Sequence, residues 1–152
     1  MSKLGEQINN DLKQAMRSKD EKILTTLRML LSAIKNKEIS LRSGENKELT
    51  DEQILEVIGS EVKKRRDSTE AYRQGNRLDL AKKEEEEIVI LQKYMPAQLS
   101  PAEIEKAVKE VVDSQKGASA NFGQIMGQAM AKLKGKADGA QVGAIVKKIL
   151  AE

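Results

Sequence analysis

The chain has 152 residues, enough for one domain or two small ones and for burial of roughly two-thirds of its unfolded surface. It contains no Cys and no His, which excludes a Cys/His zinc site, a thiol nucleophile, a disulfide and a histidine acting as base or metal ligand. Lys and Arg number 27 against 24 Asp and Glu, a formal +3 that describes solvated, mixed-charge faces and by itself implies no partner.

Strand signals are missing, whereas apolar residues recur at helical spacing almost throughout, so an all-α fold is expected. The first helix carries Leu4, Ile8, Leu12 and Met16 at steps of four. A second starts at Asp20 as N-cap and buries Ile23, Leu24, Leu27, Leu30, Leu31 and Ile34 before fraying towards Leu41. The polar segment Ser43 to Lys47 breaks the pattern, and Thr50-Asp51-Glu52-Gln53 supplies a capping box for a long third helix. Its apolar face runs Ile54, Ile58, Val62, Thr69 and Tyr72, with Arg65 interrupting, to a stop at Gly75-Asn76 where a left-handed residue can close it. A fourth helix is expected from about Asp79 to Met95, apolar at Leu80, Ile88, Leu91 and Tyr94 or Met95.

Pro96 marks the expected boundary between an N-terminal helical domain (1–95), built on a long helical hairpin, and a small C-terminal three-helix domain (96–152). Ser100-Pro101-Ala102-Glu103 opens helix five, with Ile104, Ala107, Val108, Val111 and Val112 on its apolar face. After a small-residue loop, Lys116 to Ala120, Asn121 with Gln124 caps helix six (Phe122, Ile125, Met126, Ala129, Leu133) and Gly135 closes it. Asp138 is the expected cap of helix seven, apolar at Val142, Ile145, Val146, Ile149 and Leu150.

The only aromatic residues are Tyr72, Tyr94 and Phe122, so a platform on which successive unpaired bases stack is not available. Any nucleic-acid contact is expected to be to shape and phosphate. Residues 115–152 hold six lysines against Asp138 and Glu152, which makes the C-terminal part the cationic one. Lys132, Lys134 and Lys136 flank the tight link between helices six and seven. Gly139 leaves the N-terminus of helix seven uncrowded, so its amides and positive dipole end, with these lysines and with Lys147 and Lys148, make a candidate phosphate-contacting surface. The same residues also fit a plain helix cap, turn and cap. A second basic group, Lys63, Lys64, Arg66, Arg73 and Arg77, fits a nucleic-acid footprint or, more simply, one half of a hairpin in which Lys63 to Arg66 face Glu84 to Glu87 and largely neutralise them. Arg65, on the apolar stripe, is expected to snorkel or to pair with Asp79 or a glutamate of that acidic run.

Every Asp and Glu falls on an expected solvated face or cap, Ser119 is better explained by its loop than as a nucleophile, and neither a Walker loop nor GxGxxG occurs. No catalytic residue, metal ligand or cofactor is therefore nominated. Met1 to Glu6 lacks the pattern of an export signal and no apolar run is long, so a cytoplasmic protein without a membrane span is expected.

Lys64-Arg65-Arg66-Asp67-Ser68, Arg77-Leu78-Asp79-Leu80 with Lys83-Glu84, Leu91 to Ser100 (LQKYMPAQLS), Gly123-Gln124-Ile125-Met126 and Lys134 to Gly139 (KGKADG) through Val142 and Ile145 occur in the order of a known family. On these segments the chain resembles the GatB/YqeY family, small bacterial proteins whose C-terminal part is similar to the tail of the B subunit of the glutamyl/aspartyl-tRNA amidotransferase. Two departures are mild: Asn121 stands where the family commonly has Asp, and Met130-Ala131 where it often has Met-Pro. The resemblance implies tRNA, or an amidotransferase or synthetase complex, as partner. It also carries the label of a carbon-nitrogen ligase with glutamine as amido donor, but the matched part is the tail that holds tRNA, not the catalytic core.

Overall fold

A computed structural model describes residues 2–41, 48–115 and 121–151. The polar segment Ser43 to Lys47 and the loop Lys116 to Ala120, with Ser119 in it, lie outside the described residues. The described residues form seven helices, α1 (Lys3–Ser18), α2 (Glu21–Ser40), α3 (Asp51–Gln74), α4 (Leu78–Gln92), α5 (Pro101–Ser114), α6 (Phe122–Leu133) and α7 (Gly139–Leu150), and no strand. The chain divides into two compact units, Met1–Met95 and Pro96–Glu152.

In the first unit the caps follow local chemistry. Asp20 accepts from the amide of Ile23, and Thr50 and Gln53 form a reciprocal capping box. Ile8, Leu27, Leu30, Ile58, Val62 and Leu91 are buried at the centre of its core. Met16 is corrected: it is exposed, and Ala15 takes the inward position. Each step of four residues advances a helix by 400°, so a row of fours has turned about 120° by its fourth member, whereas Ala15, seven residues after Ile8, stays on the buried face. Thr26, fully buried on α2, satisfies its hydroxyl by donating to the Lys22 carbonyl at 2.8 Å.

Helices α3 and α4 form an antiparallel hairpin. Asn76, with φ 58°, is the left-handed residue that turns the chain, and the Arg77 amide reaches back to the Tyr72 carbonyl at 2.7 Å. The end of α4 is also corrected, because the helix stops at Gln92 rather than Met95. Tyr94 and Met95 bond to the carbonyls of Leu91 and Gln92 in tight turns, since the residue before a proline is driven out of the α region. This places the Tyr94 ring in the core with its hydroxyl donating to Asp11 at 2.5 Å. Burial, and then the Asp11 carboxylate, push the Tyr94 phenol above its ordinary range.

In the second unit Ser100 and Glu103 form the capping box of α5, with Pro101 at its first position, and Asn121 accepts from the amide of Gln124 at 2.8 Å to start α6. Ile104, Val108, Ile125, Ala129, Leu133, Val142 and Val146 interlock as the core of the three helices. Phe122 and Leu150 depart from the expected apolar faces: both side chains stand at the surface, one in the first turn of α6 and one at the end of α7.

Candidate nucleic-acid interface

The link between α6 and α7 is a built turn. Gly135 adopts φ 77°, a conformation that a side chain disfavours, and the Lys136 amide returns to the Leu133 carbonyl at 2.9 Å. The segment after Pro96 then holds the turn from outside. Leu99 donates its amide to the Lys136 carbonyl at 2.9 Å, and Gln98 donates from Nε2 to the carbonyls of Gly135 (2.8 Å) and Pro96 (2.9 Å). Gln98 was not among the candidates, because a side chain that reaches 37 residues along the sequence leaves no periodic signal. It joins the segment Pro96 to Ser100 to the KGKADG segment within the second unit.

The candidate lysines do not form one cluster. Lys132, Lys134, Lys136 and Gly139 lie at the link end of α6 and α7. Lys147 and Lys148 lie in the last turn of α7, about 12 Å along the helix from Gly139 at 1.5 Å per residue. Lys132 is engaged by Glu110 of α5 at 2.5 Å, and this lysine holds the Glu110 carboxyl below the usual carboxylate range. At the other end the Lys147 ammonium stands 5.8 Å from the centroid of the Phe122 ring. Asp138 occupies the N-cap position of α7 with extended backbone, but its side chain makes no hydrogen bond to the first-turn amides, which corrects the expected side-chain cap. Neither α6 nor α7 contains an acidic residue, in a chain of which 34% is charged.

The second basic group is for the most part tied up within the first unit. Arg73 pairs with Glu85, Arg77 with Asp79 at 3.3 Å, and Lys64 with Glu61 at 3.4 Å. Lys63 is exposed and Arg66 half-buried. Lys64 also edges an open groove of about 370 Å³ between α2 and α3, but Glu56 and Glu61 stand in its wall, so an anion there meets acidic side chains. The acidic run finds partners from more than one element: Glu86 is held by Lys22 of α2 at 2.8 Å, and Glu87 by Arg65 at 3.0 Å. Arg65 thus takes a glutamate of the run rather than Asp79, and Glu87, buried, corrects the expectation that every carboxylate lies on a solvated face or cap.

Among the described residues no group of three or more Asp or Glu is arranged to hold a metal ion, and no helix is long and apolar enough to cross a membrane.

The family model described as Yqey-like protein matches residues 5–150. Curated relatives include "Altered inheritance of mitochondria protein 41, mitochondrial" of Vanderwaltozyma polyspora, 38% identical over 111 residues, and its namesakes in Lachancea thermotolerans and Saccharomyces cerevisiae, each 38% identical over 112 residues. Each match takes in 72% of this chain and 58% of the relative, so the chain spans little more than half the length of these proteins. The expected cytoplasmic location is overturned by this comparison, because the relatives are named as mitochondrial proteins. The lack of an export-signal pattern in Met1 to Glu6 does not distinguish one compartment inside a cell from another. With the match running over nearly all of its residues, the chain belongs to the Yqey-like protein family.

Proposed function

We propose that this chain is a tRNA-binding or tRNA-amidotransferase-associated helical protein, not catalytic by itself, whose second unit meets RNA backbone through the α6–α7 link. The observation that carries this is the pairing of two helices without a single acidic residue with a turn, bearing Lys134 and Lys136, whose backbone is fixed by Gln98 and Leu99. A polyanion approaching that surface meets lysines at both ends and no carboxylate on either helix, and a fixed turn needs little ordering on binding. The choice of tRNA among polyanions rests on the resemblance to the amidotransferase tail. Titration of the purified protein against bulk tRNA and duplex DNA, at low and physiological salt, tests it: tighter tRNA binding that survives physiological salt supports the function, and equal, salt-sensitive binding to both refutes it.

A docking module for an amidotransferase or synthetase complex is the second reading, favoured by Leu78 and Val89. Both are exposed apolar residues, and at eleven residues apart they share one face of α4. A partner retained from nuclease-treated lysate by the protein, and lost on Leu78→Ser with Val89→Ser, supports this reading. Release of ammonia from glutamine by the purified protein would instead support the carbon-nitrogen ligase label.

A further inference from the structure

We propose that Phe122 and Lys147 form a subsite for one unpaired nucleotide, its base against the exposed part of the Phe122 ring and its phosphate on Lys147 or Lys148. The subsite rests on the RNA function proposed above and adds a stacking contact at the end of α6 and α7 remote from Lys134 and Lys136.

Three features converge on that end. The first is the ring itself. Of the three aromatic side chains, Tyr94 is buried and Tyr72 half-buried, while Phe122 keeps 40% of its surface exposed at the first position of a helix. The second is how the ring is seated. Phe122, Met126 and Met130 form a row along α6 opposite Gly139, Gly143 and Lys147 on α7. The Met130 methyl lies 3.8 Å from where a Cβ on Gly139 would stand, and the Met126 methyl lies 3.7 Å from the corresponding point on Gly143. The methionines fill the space left by the glycines, and Phe122, whose Cζ is 4.0 Å from that point on Gly143, closes the row at its edge.

The third feature is charge. Lys147 stands over the ring at 5.8 Å from its centroid, Lys148, next in the chain, is exposed, and no acidic residue occurs on either helix. An aliphatic partner would use the ring and leave the lysines unanswered. A nucleotide presents a π face and an anion together, and matches both. One aromatic residue does not make a platform for a strand, so the subsite takes a single base, such as one turned out of a loop or left at an unpaired end.

The chain has no Trp, so Phe122→Trp places a unique fluorophore in the site. Titrating this variant with a hairpin RNA carrying an unpaired loop, and with a fully paired RNA of equal length, is expected to quench the indole with the hairpin alone. In the unlabelled protein, Phe122→Ala is expected to weaken hairpin binding by about 5- to 150-fold with the slope of log K against log salt unchanged. Lys147→Ala is expected to flatten that slope by about 0.7. If Phe122→Ala disturbs folding, Phe122→Leu replaces it, with loss in Leu and retention in Trp assigning the effect to the ring face. Unchanged hairpin affinity in Phe122→Ala, with Lys134→Ala and Lys136→Ala still weakening both RNAs, overturns the subsite and leaves the RNA function standing. Binding of neither RNA by the wild-type chain overturns both. Quenching by an acidic peptide as strong as by the hairpin assigns the site to a protein and overturns the nucleotide proposal.

Discussion

Arg65 on α3 donates from Nε to Glu87 on α4 at 3.0 Å, with the two residues 5% and 8% exposed. The same guanidinium donates from Nη1 to Glu61 at 2.9 Å and to its carbonyl at 3.1 Å, and Nη2 lies 3.8 Å from the Met29 sulfur. A charge at the centre of an apolar stripe is thereby matched by two carboxylates, and it fixes the register of the hairpin, because only one alignment of α3 and α4 brings Arg65 to Glu87. Removing one partner leaves the other buried and unmatched. Arg65→Ala is therefore expected to cost about 3–5 kcal/mol in urea unfolding, and Arg65→Met combined with Glu87→Met to recover most of it. Similar losses in the single and double variants would refute this account of the pair.

Much of both units could be read from residue pattern, because capping and periodicity are local. Asp20, Thr50 with Gln53, Ser100 with Glu103 and Asn121 with Gln124 make the caps that their types and spacing imply. What escaped was tertiary. Glu87 is buried because it meets Arg65, 22 residues away, and Gln98 matters because it meets Gly135, 37 residues away. The six candidate residues of the second unit illustrate the same limit. Their positions in the chain were plain, and their division between two ends follows from the length of α7, but the engagement of Lys132 by Glu110 depends on how α5 and α6 pack.

That engagement gives a second prediction. In tRNA titrations Lys132→Ala is expected to change the salt slope less than Lys134→Ala combined with Lys136→Ala, which should flatten it by about 1.4–1.8. Glu110→Gln releases Lys132 for an incoming phosphate and is expected to steepen the slope by up to about 0.9. An unchanged slope in Glu110→Gln would mean that Lys132 does not reach RNA.

Glu84 and Tyr94 make stability depend on pH in two windows. Burial first, and then Glu87, raise the Glu84 carboxyl above its ordinary value of 4.5, so its ionised form is penalised in the folded state. The penalty is full above the folded value and disappears below the unfolded one. Glu84→Gln is thus expected to stabilise the protein at pH 7 and to make no difference near pH 4. Tyr94 acts at the other extreme. Below pH 10 its phenol is neutral in both states. As pH rises above 10 the unfolded phenol ionises first and stability falls. Tyr94→Phe is expected to lose about 1–2 kcal/mol at pH 7 with the Asp11 hydrogen bond, and to flatten the alkaline decline. Urea titrations at pH 4, 7 and 11 check both, and parallel alkaline curves for Tyr94→Phe and wild type would refute the second.

The glycines of the second unit separate conformational need from spatial need. Gly135 has φ 77° in the turn that carries Lys134 and Lys136, so Gly135→Ala is expected to destabilise by about 1 kcal/mol and, by shifting the turn away from Gln98, to weaken tRNA binding as well. Gly143 is helical, and a Cβ there would meet Met126 at 3.7 Å, an ordinary contact with a flexible side chain. Gly143→Ala is therefore expected to stabilise by about 0.5–1 kcal/mol through helix propensity. Thermal unfolding of the two variants should move in opposite directions. If Gly143→Ala also destabilised, the close approach of α7 to the Met126 row, rather than helix propensity, would govern that position, and the seat of the Phe122 ring would be tighter than these distances indicate.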